Sequence, residues 1–135
     1  MQIPKILVAD DNPCDVLLLR HAIGRVDIPV QIESVSNGSE ALSALDAEPS
    51  RDLLVLDFAL PGKTGLDVLE AAQGNPRLRK TPALILSGLL APEQKKAVRE
   101  LGAVYMEKPF SLEGWTEVAN QIRGLLTSRI AATAA

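Results

Sequence analysis

The chain has 135 residues, 47% hydrophobic and 23% charged, with a net charge of −3 at pH 7. That is enough for one domain with its own core, and the acidic balance offers no attraction to nucleic acid or to an anionic membrane. A single cysteine, Cys14, and a single histidine, His21, exclude an intramolecular disulfide and a His/Cys zinc site. No stretch approaches the ~18–20 apolar residues of a membrane span. Met1–Pro4 does not open a signal peptide, so a cytoplasmic location is expected.

Strand and helix signals alternate five times. Within the segment Lys5–Ala9, Ile6–Ala9 is a continuous apolar run, the mark of a strand covered on both faces. Asn12 and Pro13 start a helix as N-cap and first helical residue, with Val16, Leu19 and Ile23 on its apolar side. Val30–Val35 alternates and predicts an edge strand; Asn37-Gly38 then turns into a helix carrying Ala41, Leu42 and Leu45. Leu53–Leu56 is the third strand, followed by a Pro61-Gly62 turn and a helix over Gly65–Gln73 that Gly74 stops. Ala83–Leu86 is the fourth strand, Pro92–Leu101 a helix closed by Gly102, and Val104–Met106 the fifth strand. The last helix places Trp115, Val118, Ala119, Ile122, Leu125 and Leu126 at helical spacing, with Trp115 expected in the core or an interface. Residues 1–128 are expected to form the domain and 129–135 a flexible tail. Five βα units predict a parallel α/β sheet with helices on both faces.

In open α/β sheets the functional crevice lies beyond the carboxyl ends of the strands. Asp10-Asp11, Asp57, Ser87, Tyr105 and Lys108-Pro109 all fall there. Carboxylates, a hydroxyl and a lysine in one crevice are the materials of a metal- and phosphate-handling site. Singly, each has a plainer explanation: Asp10–Pro13 as a helix cap, Asp57 as a turn residue. The basic runs Arg77–Lys80 and Lys95-Lys96 are expected to be solvated faces. His21 is expected on a helix face, and the acids near Cys14 argue against a stabilised thiolate there.

The segments Ile6–Pro13, Leu54–Gly62, Thr64–Leu66, Leu84–Gly88 and Gly102–Phe110, in this order, resemble the receiver domain of two-component response regulators. The similarity runs from about Lys5 to about Leu126. Lys63-Thr64 departs from the family's frequent Met-Asp before Gly65, and the stretch from Gly102 to Tyr105 is one residue shorter than usual.

The resemblance implies a flavodoxin-like fold with strand order 2-1-3-4-5. It implies Asp57 as phosphoryl acceptor, and Mg²⁺ (or Mn²⁺) held by Asp11, Asp57 and the Ala59 backbone carbonyl, with Asp10 acting mostly through a coordinated water. Lys108 would pair with Asp57 and then with the phosphoryl group, Ser87 would donate its hydroxyl, and Tyr105 would be the switch aromatic. A cis Lys108–Pro109 bond is expected by the same resemblance. Expected partners are a histidine kinase or histidine phosphotransfer protein, and a downstream protein on the surface of helix 4, strand 5 and helix 5, which also admits a homodimer. No nucleic acid or membrane partner is expected. No output domain is read after Leu126, so the chain is expected to be either a stand-alone receiver or a piece of a larger protein. Asn12-Pro13 and Asn75–Leu78 resemble single-domain regulators paired with phytochrome-like kinases.

Such a protein is a switch that catalyses only its own phosphoryl transfer and dephosphorylation, not an enzyme acting on other substrates. Three alternatives differ in class. A dehalogenase-like phosphatase needs a second Asp two residues after the nucleophile, where Ala59 stands. A flavin-binding protein needs a hydroxyl- and glycine-rich loop after the first strand. A phosphorylation-independent receiver-like binding module would show the same partner affinity with and without a phosphodonor.

Overall fold

The computed structural model describes residues 3–47 and 51–134. Strand β1 (Lys5–Ala9) leads to α1 (Pro13–Arg25), β2 (Gln31–Val35) to α2 (Gly38–Ala47), and β3 (Leu53–Leu56) to α3 (Gly65–Gln73). Strand β4 (Ala83–Ser87) leads to α4 (Pro92–Glu100), and β5 (Val104–Glu107) to α5 (Leu112–Ala134). The five strands form one parallel sheet in the order β2-β1-β3-β4-β5.

The period of two along each strand divides the core. Leu7, Ala9, Leu54, Leu56, Ala83 and Ile85 pack with Ala41, Leu45, Val68, Leu69, Ala72 and Val98 of α2, α3 and α4. Their neighbours Ile6, Val8, Leu53, Val55, Leu84 and Leu86 meet Leu19 and Ile23 of α1 and Trp115, Val118, Ala119 and Ile122 of α5. Both faces are covered, which is why β1, β3 and β4 are continuous apolar runs. Strand β2 is exposed or half-buried throughout, as its alternating sequence predicts for an edge. Trp115 is 3% exposed and belongs to the core. Among the described residues no helix is long and apolar enough to cross a membrane.

Local chemistry sets the helix starts. The Asn12 side chain accepts from the backbone N–H groups of Cys14 (3.0 Å) and Asp15 (3.4 Å), with Pro13 at the first helical position. Thr64 and Asp67 form a reciprocal capping box on α3. At the turn after Pro61 and at the end of α4, Gly62 and Gly102 adopt left-handed φ of +73° and +79°. Gly74 ends α3 with φ of −77°, in right-handed geometry rather than as a left-handed cap.

The last helix runs further than its apolar pattern. Helix α5 continues through Ala134, whereas the apolar periodicity ends at Leu126. Nothing after Leu126 breaks a helix: the segment contains no Gly or Pro and ends rich in Ala, the strongest helix former. Ala135 lies outside the described residues.

Candidate functional site

The sheet's hydrogen-bond ladder continues into the site and places its acids. The Asp10 N–H donates to Val35 O (3.0 Å), the Asp57 N–H to Ala9 O (2.9 Å), and the Lys108 N–H to Ser87 O (2.7 Å). Residues far apart in sequence are thereby aligned at the carboxyl ends of β1, β3, β4 and β5. Ser87 is the last residue of β4 rather than the first beyond it.

Asp57 is 6% exposed and both of its carboxylate oxygens accept hydrogen bonds. Its Oδ1 accepts from the Ser87 hydroxyl at 2.8 Å and from the Ala59 N–H at 3.0 Å. Its Oδ2 accepts from Lys108 Nζ at 2.8 Å. These donors hold a buried anion that would otherwise be costly. Gly65 permits the approach of α3: a Cβ there would lie 2.3 Å from the Asp57 carbonyl oxygen.

Asp10 is also buried, and its Oδ1 accepts from the Asn12 N–H at 2.9 Å. Burial raises its pKa, opposed by that backbone bond and by Lys108, with the charge of Asp57 adding to the rise. Asp11 is exposed at the rim. Carboxylate oxygens of Asp10, Asp11 and Asp57 lie within 4.8 Å of one another. Opposite ligands of an octahedral Mg²⁺ are roughly 4 Å apart, so this hard-oxygen set fits such an ion after small side-chain adjustments.

Lys108 ties the site together. Its Nζ lies 2.8 Å from Asp57 Oδ2, 3.0 Å from Asp10 Oδ2 and 2.8 Å from Asp15 Oδ2. Burial alone would lower the pKa of this ammonium. Hydrogen bonds to Asp15, Asp57 and Asp10 outweigh that effect and raise it, so it stays protonated. Asp15 was not among the residues the sequence singles out. The available signal was its place in the first turn of α1, three residues after the Asn12 cap and close behind the Asp10-Asp11 pair.

The expected cis Lys108–Pro109 bond is not found: every described peptide bond is trans. Trans is favoured for X-Pro bonds by about 0.5–1 kcal/mol, and Lys108 reaches all three acids with it.

Tyr105 is half-buried against the α2–α4 side of the core, with its hydroxyl donating to Gly88 O at 2.8 Å. Lys95 Nζ stands 5.6 Å from the ring centroid. Burial raises the phenol's pKa, with the charge of Glu107 adding to the rise and a backbone bond from Leu90 opposing it. His21 and Cys14 are exposed and outside the cluster. At the mouth, Ala59 and Leu89 are exposed, Leu89 by 80%.

The family model of the response regulator receiver domain matches residues 6–120. Two-component response regulator ORR13 of Oryza sativa subsp. japonica is 31% identical over 123 residues, covering 90% of this chain and all of the relative. Another curated relative is a longer protein, of which the chain spans 24%. Among solved structures, the phosphorylated cyanobacterial phytochrome response regulator RcpA superposes with a TM-score of 0.84 at 28% identity, covering 94% of this chain and 96% of that one. The Mn²⁺-bound form of response regulator Rcp1 gives 0.79 at 25% identity, covering 88% and 91%. A sheet ordered 2-1-3-4-5, acids at the ends of its first and third strands and a family match over most of the length lead to one conclusion: this chain belongs to the response regulator receiver domain family.

Proposed function

We propose that the protein is a phosphorylation-activated switch in which Asp57 accepts a phosphoryl group from a phosphohistidine. The observation that carries this is the engaged Asp57 carboxylate, held by Ser87, Ala59 N–H and Lys108 beside two further acids. An Asp57 carboxylate oxygen forms the new O–P bond while the donor's N–P bond breaks, and the imidazole leaves with the electron pair. Phosphoryl transfer asks the protein mainly for positioning and charge neutralisation. Lys108 supplies a fixed positive charge next to the nucleophile. Ser87 supplies a hydroxyl that can turn from Asp57 to a phosphoryl oxygen.

Asp10, Asp11 and Asp57, with the Ala59 carbonyl, would hold Mg²⁺ or Mn²⁺. The ion would offset the crowded carboxylates and the phosphoryl charge. The Mn²⁺-bound relative is consistent with this donor set.

The Tyr105 contact supports a reading of the output. Its hydroxyl bonds the carbonyl of Gly88, next to Ser87 in the chain. Movement of Ser87 toward a phosphoryl group disturbs that bond and releases Tyr105 to turn inward. The surface of α4, β5 and α5 then changes its affinity for a downstream protein, by a shift in population between two states. The same surface would serve a homodimer. The donor would be a histidine kinase or phosphotransfer protein in the cytoplasm, and the RcpA likeness favours a phytochrome-type kinase. The protein catalyses only its own phosphoryl transfer and dephosphorylation.

The test is intact mass after incubation with acetyl phosphate and Mg²⁺. One Mg²⁺-dependent phosphoryl group on the wild type and none on Asp57→Asn is the expected result. No adduct, under conditions that label another receiver, would replace the switch with a phosphorylation-independent binding module.

A further inference from the structure

We infer that Asp15, on the first turn of α1, is a positioning residue that competes with the phosphoryl group for Lys108 and so sets how strongly the phosphorylated state is favoured. The inference rests on the phosphoacceptor role proposed for Asp57. An ammonium has three N–H donors and no acceptor. Here three carboxylates surround it: Asp57 and Asp15 at 2.8 Å and Asp10 at 3.0 Å. No donor is left for an incoming phosphoryl oxygen, so one carboxylate must let go.

Asp15 differs from the other two. Asp10 and Asp57 belong to the group of acids that can share a cation, and Asp15 does not. A divalent ion would draw charge from Asp10 and Asp57 and leave Asp15 as the undiminished partner of Lys108. Its carboxylate also adds a like charge near a phosphoryl group that carries about −2. Both effects oppose the phosphorylated state. Asp15 is well placed to hold this position, because its own backbone N–H is capped by the Asn12 side chain. The lysine side chain and Asp15 are each 19% exposed, so solvent screens the pair only in part.

Replacing Asp15 by Asn removes the charge and keeps the shape. Beryllium fluoride with Mg²⁺ serves as a non-covalent phosphoryl mimic whose affinity can be read by calorimetry. Asp15→Asn is expected to bind it about tenfold tighter than the wild type, the order of one charge-assisted hydrogen bond, and Asp15→Glu to restore wild-type affinity. A purely structural role would lower the melting temperature of Asp15→Asn without tightening binding. If the wild type binds the mimic and Asp57→Asn does not, but Asp15→Asn binds equally or more weakly, the inference is wrong and the phosphoacceptor assignment stands. If the wild type itself binds no mimic, the phosphoacceptor assignment fails, and this inference with it.

Discussion

Replacing Lys108 by Met tests the electrostatic design of the site most directly. The substitution keeps the stem and deletes a cation from among Asp10, Asp15 and Asp57, whose side chains are 7%, 19% and 7% exposed. Breaking a buried ion pair by removing one partner costs about 3–5 kcal/mol. The lysine's partial exposure argues for the lower end, about 3 kcal/mol without divalent metal. Mg²⁺ should offset part of this loss, because the variant binds the ion more tightly. An ion bound at ~2.1 Å to Asp57 Oδ2 or Asp10 Oδ2 would lie within about 5 Å of the position of Nζ, so deleting one positive charge would relieve about 1.7 kcal/mol of repulsion at the dielectric of water. That is roughly a fifteenfold gain in Mg²⁺ affinity. Urea unfolding in EDTA and at increasing Mg²⁺ measures both quantities. Lys108→Met should be much less stable than wild type in EDTA and should recover more on adding Mg²⁺. Equal stability in EDTA, or equal stabilisation by Mg²⁺, would refute the account of Lys108 as the resident counter-ion of these acids.

Gly65→Ala should cost about 2–3 kcal/mol, as overpacking does, since the new Cβ would meet the Asp57 carbonyl oxygen at 2.3 Å; labelling by acetyl phosphate should fall more than for an alanine at Gly24, where nothing lies within 4 Å. Asp10 has a raised pKa, so the folded chain takes up its proton more readily than the unfolded chain does. Its contribution to stability is therefore fully present below its ordinary value of 3.8 and lost as pH rises through the folded value. Asp10→Asn should accordingly be more stable than wild type at pH 7 in EDTA, by about 1 kcal/mol, with the difference closing as pH falls toward 4; urea midpoints across that range are the check. Ala59 and Leu89 flank the site without a polar side-chain group to orient an attacking water. The phosphorylated form should therefore be long-lived, and Leu89→Glu should shorten its lifetime; rapid decay of the wild-type phosphoprotein would contradict this.

Much of this protein was determined by local sequence. Strands covered on both faces must be continuous apolar runs, so Lys5–Ala9, Leu53–Leu56 and the run from Ala83 mark their own carboxyl ends and with them Asp10, Asp57 and Ser87. Capping is equally local, which is why Asn12 announces α1. Lys108 was legible because it follows the fifth strand. What only the tertiary structure decided depends on distance between residues remote in the chain. Asp15 reads as an ordinary first-turn acid until the β5 end brings Lys108 to 2.8 Å from it. The trans Lys108–Pro109 bond reflects a preference too small to read from sequence. The length of α5 escaped for the opposite reason: past Leu126 the apolar pattern ends, and only residue propensity carries the helix on to Ala134. Periodicity reports which residues face a core; it is silent where a helix continues without one, and it cannot tell which charges from separate strands will share a single ammonium.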